Sequence, residues 1–157
     1  MDDVTIARAL HVLAIVHWIG ALTTVTAVIL PAARRDLDPA RGVALFERIE
    51  ARVSFQVKFS VTLVGLTGFY MTWRLGAWAR FLDGGFWWMH AMALLWALFT
   101  VVLFVAEPLL LDNWFKRQAA RNARRTLALV QRAHWALLAA SAITVGAAVL
   151  GAHGLLS

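Results

Sequence analysis

Apolar positions along this chain do not alternate with polar ones but gather into four runs, at about 4–30, 53–73, 86–111 and 127–150. Each is near or above the ~20 residues that a helix needs to cross a bilayer. Pro31 closes the first run, Gly84-Gly85 precede the third, and Gly151 and Gly154 end the fourth. Backbone groups in hydrocarbon must be satisfied within their own segment, so these runs predict helices rather than strands. The connections are too short for a further domain. Residues 1–157 therefore read as one all-α integral membrane domain, an antiparallel up-down four-helix transmembrane bundle. Ahead of the second span, 45–55 carries apolar residues at helical spacing and predicts a helix that lies on the inner membrane surface and leads into that span.

Composition sharpens this picture. Of 157 residues, 61% are apolar and 15% charged, against roughly a quarter charged in a soluble domain. There is no cysteine, which excludes disulfides, thiolate metal sites, iron–sulfur clusters and covalent haem attachment through C-x-x-C-H. The net charge of +6 does not point to nucleic acid, because the basic residues sit beside apolar spans. Arg34, Arg35, Arg41, Arg48, Arg52 and Lys58 flank the first loop, and Lys116, Arg117, Arg121, Arg124, Arg125 and Arg132 the third. The positive-inside rule then puts both termini outside, on the periplasmic face of a bacterial cytoplasmic (inner) membrane. Trp73, Trp78, Trp87 and Trp88 would form an outer aromatic belt. Asp2 and Asp3 open the chain where a cleavable signal would be basic, so the first span is expected to stay.

The chemistry lies in the histidines. A neutral imidazole in hydrocarbon requires a metal, a hydrogen bond or water. In the alternating topology His11 and His90 fall at similar depth toward the outside, with His153 near the same layer, His17 near the middle and His134 toward the cytoplasm. Two imidazoles from separate helices at one level are suited to haem iron, making His11 and His90 the first candidates for metal ligands. His17 lies about 120° around the helix from His11 and, with His134, is a candidate for a second haem. Arg74 and Arg80 in the outer loop are candidate partners for propionates. Met71, Met89 and Met92 with the histidines leave copper open as an alternative. Lys58, Glu107 and Arg132, near the inner ends of their helices, offer a stabilising charge network or a proton or quinone site. Gly65 and Gly68 predict close helix contact or the approach of a flat ligand.

Ala9-Leu10-His11 followed by Trp18 and Gly20, then Glu50-Ala51-Arg52 and Trp88-Met89-His90, resemble the HemJ-type membrane proteins and their copper-resistance-D-like relatives. The resemblance covers roughly the first two-thirds of the chain. It implies a four-helix membrane protein binding haem b, with His11 a ligand and His90 a site residue, and an oxidation of protoporphyrinogen that passes electrons to quinone. Met92 stands where that pattern has a lysine, and His134 and His153 have no counterpart in it. The expected function is thus redox or electron transfer through haem b, one or two per chain. The oxidase and a copper-handling role are alternatives, and the lipid bilayer, quinone or a periplasmic redox protein are the partners. Homo-oligomerisation is left open.

Overall fold

The computed structural model describes residues 2–155, and every regular element among them is helical. Helix α1 occupies Asp2–Arg35, with a π-helical turn at Val25–Ile29. Helix α2 is Pro39–Arg74. Two 3₁₀ turns, Ala77–Leu82 and Gly84–Phe86, lead to α3, residues 87–121, which is α-helical over Trp87–Val101 and π-helical over Val102–Leu111. At Asn122 the backbone leaves helical geometry (φ −157°, ψ 90°), and α4 runs over 123–152.

The turns have local causes. Asp38 accepts the Ala40 N–H at 2.9 Å and Pro39 follows, which together start α2. The Asn122 side chain accepts the Arg125 N–H at 2.9 Å and caps α4 in the same way. Gly76, at φ +59°, supplies the left-handed residue that ends α2.

Contacts at each reversal pair residues in opposite chain order. His11 meets Thr67, His17 meets Ser60, and the Ala33 carbonyl lies against Gly42. Val61 meets Trp96 and Ser54 meets Glu107; Trp88 lies on Gly151. A central core joins Ala14, Trp18 and Leu22 of α1 to Val57, Val61 and Val64 of α2 and Phe99 and Leu103 of α3. A second core, around Leu30, Phe46, Phe115 and Leu127, fills the end that carries most of the arginines. Outward-facing positions are apolar too: Leu13, Val16, Phe59, Leu94 and Ile143 are all exposed. Asp2–Arg35 and Gly84–Ala152 are long and apolar enough to cross a membrane.

One expectation changes. Pro31 does not stop the first helix, which continues to Arg35. The π-helical turn before it shifts the hydrogen-bond register, and the Thr26 carbonyl, five residues before the missing proline N–H, accepts the buried Gln131 side-chain amide at 3.4 Å. The helix expected over 45–55 is present and leads without a break into the second span; together they form α2, whose 36 residues span ~54 Å, well beyond the ~30 Å of a hydrocarbon core. Its apolar side packs on protein: Phe46 meets Phe115 with ring centroids 5.4 Å apart.

Candidate functional site

Three polar rungs join α1 to α2. At the open end of the hairpin Asp3 accepts from Tyr70 Oη at 2.8 Å and Arg74 Nε at 2.7 Å. Next come His11 Nδ1 with Thr67 Oγ1 at 2.8 Å, and His17 Nδ1 with Ser60 Oγ at 2.7 Å. Ser60, Thr67 and Arg74 are seven residues apart, so they share one face of α2. His11 and His17 lie three residues either side of buried Ala14, about 60° to its left and right. Both therefore reach α2, although they project from different stripes of α1.

The hydrogen bonds fix the state of His11. The Thr67 hydroxyl gives its one proton to the Leu63 carbonyl at 2.6 Å, so toward His11 it can only accept. Nδ1 must carry the imidazole proton, and the neutral ring presents its lone pair at Nε2. Metal-binding histidines are commonly oriented by a second-ring hydrogen bond of this kind. The ring lies over Gly68, where an added Cβ would be 3.3 Å from His11 Cε1. One heptad away on the same stripe, Trp18 Nε1 is buried with no hydrogen-bond partner, its ring edge-on to Phe99 at 4.6 Å.

The same reasoning applied to the other imidazoles gives different answers. His90 Nε2 donates to the Phe81 carbonyl at 2.9 Å, in a T-shaped contact with the Phe81 ring, which leaves only Nδ1 with a lone pair. His134 and His153 donate Nδ1–H to the carbonyls of Val130 (2.9 Å) and Val149 (2.8 Å), four residues back on their own helix. The Ser60 hydroxyl can donate or accept, so His17 is held in place with either tautomer accommodated. Among the described residues no hydrogen bond or ring contact joins His11 to His90, and no three His, Asp or Glu side chains converge as a metal site.

The remaining candidates fall as follows. Arg74 is paired with Asp3, its Nη2 at 2.5 Å; the Tyr70 hydroxyl and the Arg74 guanidinium hold the Asp3 carboxyl well below the usual carboxylate range. Arg80 lies over the Phe86 ring, 5.3 Å from its centroid. Met89 and Met92 pack with Trp88 and Ala147 in an apolar cluster. Lys58 and Glu107 are brought together at 3.3 Å, and Ser54 Oγ donates to the other Glu107 oxygen at 2.6 Å. Arg132 is exposed and bonds to neither. Glu50, one turn before Ser54, is pushed up to about 7 by burial and then by the nearby Glu107 carboxylate.

Thr67, Ser60, Gln131 and the Phe81 carbonyl were not singled out from sequence. Gln131 carried a signal, as a side-chain amide within an apolar run, opposite a helix that contains a proline. Comparison of the chain with models of protein families, with curated proteins and with solved structures finds no match.

Proposed function

We propose that the four helices cross a bacterial inner membrane as an antiparallel up-down bundle with both termini outside, and that the protein binds haem b through His11 Nε2 for electron transfer. Supporting the membrane placement are apolar surfaces on all four helices and the gathering of Lys and Arg at one end. The observation that carries the cofactor reading is the His11–Thr67–Leu63 relay of hydrogen bonds, which leaves a neutral nitrogen lone pair in a largely apolar bundle. The donor set fits haem: imidazole is a good iron ligand, and no thiolate competes. Trp18 adds an unpartnered buried N–H on the same stripe. When bound, haem supplies one-electron exchange at iron. Thr67 then fixes the ring and its tautomer, Gly68 leaves it room, and the surrounding apolar side chains exclude water. His90 would join only through Nδ1, after rotation of its ring or with Nε2–H still on Phe81.

The test is a reduced-minus-oxidised spectrum of purified protein. Wild type should show b-type Soret and α bands, His11→Ala should lose them, and His90→Ala should keep them. Absence of the bands from wild type, or their survival in His11→Ala, would overturn the assignment. Release of the protein from membranes by alkaline carbonate would overturn the membrane placement.

A further inference from the structure

The two imidazoles that α1 presents to α2 are held differently. Thr67, like Thr62 and Thr72 on the same helix, gives its hydroxyl proton to the carbonyl four residues back. Ser60 makes no such bond among the described residues. Its partner is His17 Nδ1, toward which it is free to donate or to accept. The other ring nitrogen of His17, Nε2, has no partner among the described residues, and the residue is exposed. His17 stands at the middle of the run 4–30. In a bilayer that is about 15 Å of hydrocarbon from the headgroups on either side. An imidazole nitrogen there needs a hydrogen bond. A group fixed on another transmembrane helix reaches that depth; a lipid headgroup or water does not.

The surface around His17 suits close approach. Leu13, Gly20 and Thr24 lie on the same side of α1 and are exposed. A Cβ on Gly20 would meet nothing within 4 Å, and Thr24 has its hydroxyl satisfied by the Gly20 carbonyl at 2.9 Å. Gln56, four residues before Ser60 and so on the α1 side of α2, is a second exposed polar side chain without a hydrogen bond. Copies inserted with one topology carry His17 at one depth, so a twofold axis along the membrane normal beside α1 brings the two rings together. Identical imidazoles pair only when one nitrogen donates and the other accepts, which requires opposite tautomers in the two copies. Ser60 permits both, accepting from Nδ1–H in one copy and donating to Nδ1 in the other. Thr67, its proton committed to Leu63, could not do this for His11. We propose that the chain forms a parallel twofold dimer through α1. His17 Nε2–H of one copy donates to His17 Nε2 of the second copy, and the backbones come closest at Gly20.

This interface rests on the membrane placement and not on haem, so protein without pigment serves for the test. The chain has no cysteine, and single introduced cysteines therefore report proximity. Oxidised in membranes, Gly20→Cys should give a disulfide-linked dimer and nothing larger. Gly146→Cys on α4, equally open around its Cα, should stay monomeric. Energy transfer between donor- and acceptor-labelled full-length protein, diluted in lipid, then gives the dimer affinity. His17→Leu should weaken it about 3–30-fold, the range of interhelical hydrogen bonds in membranes. His17→Asn, which keeps a donor and an acceptor, should weaken it less, and Gly20→Ile should weaken it by closing the notch. Helix content by circular dichroism accompanies each variant. Should His17→Leu lose its helices, Gly20→Ile decides, with wild-type affinity overturning the interface. Monomeric wild type, species larger than dimers from Gly20→Cys, equal cross-linking at Gly146→Cys, or undiminished affinity of a folded His17→Leu each overturns it. A His17→Asn no better than His17→Leu overturns the imidazole pairing. Protein that stays in carbonate-washed membranes yet remains monomeric overturns this interface alone.

Discussion

Two glycines one turn apart on α2 should respond in opposite ways to the same methyl group. A Cβ on Gly65 would lie 2.6, 2.7 and 2.8 Å from Cζ2, Cε2 and Nε1 of Trp96, where ordinary carbon contacts are about 3.5–4 Å. The indole would have to retreat by about 1 Å, but Trp96 Nε1 is tied to the Val61 carbonyl at 2.9 Å. Gly65→Ala should therefore cost about 1–3 kcal/mol for overpacking and about 0.5–1.5 kcal/mol for the strained hydrogen bond, less up to about 1 kcal/mol of helix propensity. A Cβ on Gly68 meets only His11 Cε1, at 3.3 Å, and Nδ1, at 3.8 Å. A shift of a few tenths of an ångström relieves it, so Gly68→Ala should stay within about 1 kcal/mol of wild type. The assay is equilibrium unfolding in mixed micelles, with Trp96→Leu as the second arm of a cycle. Gly65→Ala should be much less harmful in that background. Equal stability of wild type and Gly65→Ala, or an undiminished penalty when Trp96 is absent, would refute the packing argument.

Other expectations follow from the polar contacts. Thr67→Val removes the acceptor that sets the His11 tautomer and should lower haem affinity about 10–100-fold, read by haem titration; unchanged affinity would detach Thr67 from the site. Gln131→Leu strips the Thr26 carbonyl of its donor and should destabilise by about 1–3 kcal/mol, partly recovered when Pro31→Ala restores a backbone N–H, as read by thermal unfolding. Glu50 binds its proton more tightly folded than unfolded, so it favours the folded state fully below its unfolded value of 4.5. That contribution declines as pH rises through the interval to about 7 and is lost above it. Unfolding free energy measured across this range should fall with pH, and Glu50→Gln should flatten the slope.

Much of this layout could be read from residue order. The apolar runs, the break at 75–86 and the meeting of Lys58 with Glu107 follow from period, punctuation and charge, whereas the break read at Pro31 falls at 36–38. What escaped depends on rotation about each helix axis. Thr67 and Ser60 are two of several hydroxyls in the second span, and only the angle at which α2 faces α1 selects them for His11 and His17. His90 pairs with a main-chain carbonyl in a 3₁₀ turn, and no side-chain pattern announces that. Gly65 and Gly68 were legible as places for close helix contact or a flat ligand; the groups that lie there are the protein's own indole and imidazole. Arg74 and Arg80, chosen as anchors for a bound acid, already have partners in Asp3 and the Phe86 ring.

The π-helical turn at Val25–Ile29 has a consequence for how this chain tolerates change in length. Such a turn is an α-helix holding one surplus residue. Removing exposed Val28 would let the backbone close into ordinary α register. Trp18 and Leu22 on one side, and Leu30 and Ala33 on the other, would then keep facing the interior. A one-residue deletion elsewhere in α1 would instead rotate everything beyond it by about 100°. The first helix thus carries one spot where losing an amino acid is milder than losing it a turn away.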